Sequence, residues 1–354
     1  MSFNSYLEKS LKELQQGAKF EIYDIKTKLK TCSKPLIKQH EGETLYRHRL
    51  ILVSTEKTGF LCGLETYEYV LSKQDEEDRR IVYISKVDTT TTLKAYSGLT
   101  ARVVQSYISS LPSQTSVFVF ARAQPQYLFA KSAENKDKKV MSDRELVSWW
   151  LYILNKVPVK CSGWWSVPGI DDESSALIEV GARRRGWKSS DNIKWSYGTS
   201  YEPDAKANLV IPRFDDDAKS RLLKSMLEED LTVSDFWNLI AFGEECGSGK
   251  IAGFFEIRLQ ETADSSKQID KCQLNSEDFT QFWNKFMSLD FSNDEAMIQS
   301  TNIAKNDIKD IFPTLEPVRM TTVDALLETN NTNTDKRPAV NMLSSSFIKR
   351  KKKL

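Results

Sequence analysis

Histidine, cysteine and glycine are all scarce in this chain of 354 residues, and each shortage removes a class of chemistry. The two histidines, His40 and His48, stand in charged or strand-like contexts far from any serine elbow, which argues against histidine-based nucleophilic catalysis. Five cysteines, Cys32, Cys62, Cys161, Cys246 and Cys272, are odd in number and widely spaced, with no CxxC pair. They point to a reducing compartment and away from structural zinc, so no metal is expected. The 14 glycines build no complete phosphate loop: GEECGSGK puts Glu244 where that motif needs glycine and Ile251 where it needs Ser or Thr. Charge of one sign is missing too, because 50 basic residues face 49 acidic ones and leave a net +1. No global field draws the chain to nucleic acid, and no sequence-specific DNA binding is expected. The opening MSFNSYLEKSLKELQQ lacks the apolar stretch of a secretory signal, and no run approaches the length of a bilayer span. An intracellular, soluble protein with no membrane partner is expected.

What is present is a large apolar fraction, 40%, enough for a substantial core. Ser5 to Gln16 reads as an opening helix; Lys19 to Lys26, Arg47 to Ser54 and Phe60 to Leu71 read as strands with an antiparallel start. Ile81 to Val87 has apolar residues on both faces, as in the middle of a covered sheet, and Val117 to Ala121 is a second buried strand. Val104, Tyr107, Ile108 and Leu111 have helical spacing, as do Leu146, Trp149, Trp150, Ile153 and Leu154 before Pro158. Ala207 to Ile211 is expected as a short strand, Asp217 to Glu229 as a helix, Ile251 to Leu259 as a strand, and Phe279 to Met287 as a last helix. The fold class is α/β: a mixed sheet surrounded by helices in one domain over residues 1–328. Residues 329–354 cannot bury a core and form a flexible basic tail. Its end, Lys349, Arg350, Lys351, Lys352 and Lys353, is a nuclear-import candidate; a merely solubilising end is the plainer reading.

Three segments form the informative constellation. YISKVDTT, Tyr83 to Thr90, delivers an acid and hydroxyls at a strand end; a helix begins near Thr100 and Ala101; VFVFARAQPQYLF, Val117 to Phe129, brings an aromatic and an arginine to the next strand end. Strand ends feeding a helix N-terminus can hold a pyrophosphate through backbone N–H groups and the helix dipole. Such strand-end pockets also serve many other ligands.

These segments resemble the acetyl-CoA core of the metazoan coactivator acetyltransferases, in which YIS, two residues and Asp-Ser precede a Thr-Ala helix, an aromatic strand and a Trp-Tyr helix. YISKVDTT, LTARVV, VFVFARAQPQYLF and LVSWWLYIL stand here in that order. SWWLYILNKV and IPRFDDDAKSRLL are similar to the fungal-specific histone H3 acetyltransferases first named as regulators of Ty1 transposition. The likeness covers roughly residues 1–320, with an acetyl-CoA core over about 80–225. RRRGWK, Arg183 to Lys188, disfavours the commonest acetyltransferase superfamily, whose pyrophosphate loop needs a small residue at Lys188.

The resemblance implies acetyl-CoA as co-substrate, with Asp88 and Thr89 on the CoA arm and Thr100 and Ala101 opening the pyrophosphate-facing helix. It implies Phe120, Ala121 and Trp149 around the cofactor. Leu99 replaces the coactivator enzymes' phosphate-binding arginine, so Arg122 or Arg221 is expected to supply that charge.

With no histidine available, proton removal falls to a carboxylate, a tyrosine or solvent, and Asp215, Asp216 and Asp217 offer carboxylates whose mutual repulsion raises a pKa. Read alone, the run is a solvated helix start with Asp217 as N-cap. The resemblance implies that Asp216 and Asp217 form the acidic pair of the active site, that Lys219 is acetylated by the enzyme itself, and that Trp150 walls the substrate-lysine tunnel beside Tyr127. It implies a chaperone-dependent enzyme of the nucleus acting on histone H3 presented with H4, on a globular-domain lysine near the nucleosomal DNA entry and on tail lysines. Histone chaperones of the nucleosome-assembly and anti-silencing families are the expected partners, although a basic loop found in some relatives is here only Ser109 to Ser116. A non-catalytic histone- or chaperone-binding module is the alternative, and it predicts no tight acetyl-CoA binding.

Overall fold

The computed structural model describes residues 1–12, 14, 17–215, 217–226, 230–243, 246, 249–261 and 274–322. The expected basic tail and the acidic residue Asp216 lie outside the described residues. Helix α1 (Phe3–Leu11) precedes strands β1 (Lys19–Lys26), β2 (Lys30–Thr31), β3 (Glu43–Thr55), β4 (Gly59–Ser72) and β5 (Arg79–Thr89). Helix α2 (Leu99–Ser109), β6 (Thr115–Ala121), α3 (Asp143–Leu154), β7 (Lys160–Ser166), α4 (Glu173–Glu179) and β8 (Ile193–Tyr197) follow. The chain continues through α5 (Ala207–Val210), α6 (Ala218–Ser225), α7 (Val233–Ile240), β9 (Gly253–Glu261), α8 (Ser276–Phe286), α9 (Asp294–Ile311) and β10 (Val318–Thr321).

The strands form one mixed sheet in the order β10-β1-β3-β4-β5-β6-β9-β7-β8, with β2 added on β3. Pairing is antiparallel except for β5 with β6 and β7 with β8, each joined through a crossover helix. Alternation along each strand divides the core in two. Ile51, Val53, Val82, Ile84, Val117, Val119 and Phe255 pack beneath α1 to α4 in the largest cluster. Tyr23, Leu50, Leu52 and Phe60 face α8 and α9, and Phe118 and Phe254 face the segment from Ala207 to Ile240 on that same side.

One irregularity decides where the end of β5 points. Thr66 pairs with Ile84 but Glu65 pairs with Lys86, so Ser85 is the extra residue of a β-bulge. The bulge shifts the alternation by one residue: Lys86 comes out on the α8 side, and Val87 packs against the α1–α4 cluster.

Ala207 to Ile211, expected as a strand, folds as α5. Ala207 and Ile211 are buried beside Val233 and Phe236, one helical turn apart, and a short apolar run fits either element until its partner is known. α6 ends at Ser225, and Asp217 caps it by accepting the Lys219 N–H. β7, β8, α4, α7, the 18-residue α9 and β10 add to what the sequence pattern suggests. Among the described residues no helix is long and apolar enough to cross a membrane.

Candidate active site

At the end of β5 the Asp88 carboxylate is the centre of a dense set of hydrogen bonds. Its Oδ2 accepts from the backbone N–H groups of Tyr127 (2.7 Å), Leu128 (2.8 Å) and Phe129 (3.2 Å). Its Oδ1 accepts from the Thr89 N–H at 2.8 Å and from Lys138 Nζ at 2.8 Å. Asp88 pairs in register with Gly63 on β4, where a Cβ would lie 3.1 Å from Leu128 and 3.3 Å from Phe129. Glycine at 63 thus lets the 127–129 segment close over the carboxylate. Five donors leave Asp88 no free lone pair for a ligand, so it acts as an anchor rather than as a direct contact to the CoA arm.

That anchor shapes a cavity of ≈300 Å³ whose walls include Val87, Asp88 and Thr89 from β5, Thr100 and Ala101 from α2, Tyr127, and Trp149 from α3. Three features suit it to a phosphate-bearing ligand. Gly98, at φ +81°, is the N-cap of α2 and offers no side chain, so the first-turn N–H groups face outward uncapped. The Thr91 hydroxyl, buried in the wall, has no hydrogen-bond partner. A third contribution is polar closure, in which the Thr92 N–H donates to Asp137 O and the Lys139 N–H donates to Thr92 Oγ1, both at 2.9 Å. The Thr100 hydroxyl bonds to Cys62, whose thiol is pushed up to about 12 by burial.

Tyr127 donates to Arg122 O at 2.5 Å and accepts from the Gln124 N–H at 2.8 Å. Burial, with smaller contributions from Asp88 and Asp143, pushes its hydroxyl up to about 12, so it stays protonated at neutral pH. α3 begins with a full capping box, Ser142 to Glu145, which fixes the direction in which Trp149 approaches. Gly253 lets α3 sit close to β9, since a Cβ there would stand 3.0 Å from Val147.

Of the residues expected at the cofactor, Asp88, Thr89, Thr100, Ala101 and Trp149 line this cavity, as does Tyr127. Trp150, expected to wall the substrate-lysine tunnel, does not line it: it is 5% exposed in the main core and meets Trp149 edge to face at 5.1 Å. Adjacent helical residues point about 100° apart, and only one of the pair can reach the cavity. Ala121 is also core, while Phe120 points to the opposite face of the sheet and stacks on Phe254 at 4.9 Å. Neither arginine expected to replace the one missing at Leu99 lines the cavity: Arg122 lies beyond its lining, and Arg221 lines a second cavity of ≈240 Å³ with Phe254 and Cys246. The lysines at the first cavity are Lys138 and Lys139, which the sequence pattern did not single out.

Asp217 and Lys219 form a separate constellation on the Phe120 side of the sheet. Lys219 Nζ is 3.0 Å from Asp217 Oδ2, with side-chain exposures of 6% and 0%. The ammonium sits 5.0 Å from the centre of the Phe254 ring, 5.7 Å from Phe118 and 5.8 Å from Phe214. Nearby, the Tyr201 hydroxyl is enclosed without a hydrogen-bond partner, and burial followed by the charge of Glu256 raises it well above its ordinary value. Among the described residues no cluster of His, Cys, Asp and Glu could hold a metal.

The sequence model of the histone acetyltransferase KAT11-type domain matches residues 7–114 and 99–312. The chain belongs to the KAT11-type histone acetyltransferases. It is 28% identical over 273 residues to "Histone acetyltransferase rtt109" of Schizosaccharomyces pombe, covering 69% of each chain. The protein of the same name from Aspergillus flavus is 26% identical over 235 residues, covering 49% of this chain and 41% of that one. The crystal structure of Rtt109 from Aspergillus fumigatus superposes with a TM-score of 0.72 over 92% of this chain and all of that one, at 20% identity, which shows the shared fold. This KAT11-type chain is therefore an enzyme that acetylates histones, and membership of an acetyltransferase family implies acetyl-CoA as the donor.

Proposed function

We propose that the cavity between β5, α2 and α3 holds acetyl-CoA, with its pyrophosphate at the uncapped N-terminus of α2. The observation that carries this reading is that the uncapped first turn of α2 and the unpartnered Thr91 hydroxyl, buried in the wall, meet at one cavity walled by Trp149. Acetyl-CoA supplies the activated acetyl group; the chain's own residues bind and orient it. Thr89, Thr100 and Ala101 contact the cofactor, Asp88 and Lys138 hold the wall, and Tyr127 stiffens the turn from Arg122 to Phe129.

The acceptor is a lysine of histone H3, carried with H4 by chaperones of the nucleosome-assembly and anti-silencing families. Proton acceptance at that lysine is assigned to the acidic residues before α6, with Asp217 described and Asp216 beyond the described residues. Asp217 is neutralised by Lys219, so acetylation of Lys219 removes the counter-charge and leaves a carboxylate that attracts the incoming ammonium. Residues 1–328 are the catalytic unit, and the basic tail that follows directs nuclear import.

The test is transfer of labelled acetyl to H3–H4 with and without each chaperone, comparing the wild type with Trp149→Ala and Asp217→Asn. Label on H3 that falls in both variants is expected. An absence of label on H3 under every condition, or wild-type rates in both variants, would sink the assignment.

A further inference from the structure

Acetyl-CoA carries three phosphates, and the cavity described above accounts for only two. The α2 N-terminus serves the pyrophosphate, while the lysines within reach are already engaged: Lys138 with Asp88 at 2.8 Å and Lys139 with Glu145 at 3.3 Å. Leu99 stands where the resembled family uses arginine. The 3′-phosphate on the ribose, a dianion, still needs cations.

A further cavity of ≈410 Å³ adjoins the first and shares Tyr96 with it as a common wall. It is lined by Lys19 at the start of β1 and by Thr55, Glu56 and Lys57 at the turn between β3 and β4. Tyr96 is held edge to face against Phe20, ring centres 5.7 Å apart. Lys19 and Lys57 are exposed and form no ion pair with another described residue. Two ammonium groups face one carboxylate, Glu56.

We propose that Lys19 and Lys57 receive the 3′-phosphate of acetyl-CoA in this cavity, with the adenine laid against Tyr96. The inference rests on the cofactor reading of the first cavity. The site thereby selects CoA over its 3′-dephospho form. Glu56 opposes the phosphate and limits the affinity.

Calorimetric titration of the full chain with CoA and with 3′-dephospho-CoA tests this. The wild type should bind CoA about tenfold more tightly than the dephospho form, a difference of two ammonium–phosphate contacts. Lys19→Ala/Lys57→Ala, changed only at exposed side chains, should lose that preference by weakening CoA alone, and Glu56→Gln should tighten CoA alone. Trp149→Ala should weaken both ligands alike. Lysine variants that bind both ligands as the wild type does, or weaken both equally while Trp149→Ala still weakens both, overturn the phosphate assignment. Unchanged binding of both ligands in Trp149→Ala overturns the cofactor reading and the inference with it.

Discussion

Asp88 and Lys138, 50 residues apart in the chain, form a 2.8 Å ion pair in which both side chains are almost completely enclosed. The pair ties the end of the central strand β5 to the segment that leads into α3, and Lys138 also donates to Ser132 Oγ at 2.7 Å. Because Asp88 simultaneously accepts three successive N–H groups from Tyr127 to Phe129, a single carboxylate sets two walls of the cavity between β5, α2 and α3.

Removing Asp88 strands the buried Lys138 ammonium, which costs about 3–5 kcal/mol, whereas removing Lys138 leaves Asp88 its four N–H donors and costs less. Asp88→Ala and Lys138→Ala should each lower the denaturant midpoint and weaken acetyl-CoA binding, and the double variant should lose less than the sum. Additive losses in a double-mutant cycle would mean that the ion pair does not couple the two segments.

Tyr127 holds its proton up to about pH 12, so it cannot act as the base at neutral pH. Tyr127→Phe should cost about 1 kcal/mol per lost hydrogen bond and lower the rate, yet leave the shape of the pH–rate profile between about pH 7 and 9 unchanged. A basic limb that disappears in Tyr127→Phe would assign the base to this hydroxyl after all.

Much of the scaffold could be read in the sequence because its periods are clean. Val104, Tyr107 and Ile108 repeat at helical spacing, and both faces of Ile81 to Ile84 are apolar because both faces of the sheet are covered. Thr100 and Ala101 were legible as the start of a helix, and they stand in the first turn of α2 and line the cavity. Lys138 was not, since its segment is polar without a period and its partner is distant in sequence. The separation of Trp149 from Trp150 depends on which side of α3 meets the sheet, and the direction of β5 beyond Ser85 depends on a bulge visible only in the strand register. Arg221, one of the two arginines expected to replace the charge missing at Leu99, follows Phe214 to the other face of the sheet and lines the second cavity instead.

Acid should expose a second buried network. Burial alone would push Glu68 up, but the charges of Arg49 and Arg47 outweigh it and hold the carboxyl at about 2 against an ordinary 4.5. Arg49 donates to Glu68 at 3.0 Å, Tyr107 at 2.9 Å, and Arg49 also grips Asp24 with two bonds. A depressed carboxyl stabilises the fold above its unfolded pKa, and that contribution is lost as pH falls from about 4.5 through 2. The loss is on the order of 3 kcal/mol. Glu68→Gln should be less stable at pH 7 and show a flatter stability curve below pH 4.5 than the wild type. Parallel curves would place the acid sensitivity elsewhere.

The buried pair of Asp217 and Lys219 gives a sharp test of the acetylation proposed for Lys219. Lys219→Ala removes the only cation paired with Asp217 among the described residues and leaves that fully buried carboxylate without its counter-charge, at a cost of about 3–5 kcal/mol. Asp217→Asn/Lys219→Met keeps the volume and removes both charges, so it should regain most of that stability while remaining inactive. Acetylated wild type differs from both, since the amide keeps the side chain's length among the aromatic rings and still frees the carboxylate. Peptide mass spectrometry across Lys219, run beside thermal unfolding and H3 acetylation rates, separates the cases: acetylated enzyme should be the faster form. Equal rates for acetylated and unmodified enzyme would reduce Lys219 to a structural counter-ion.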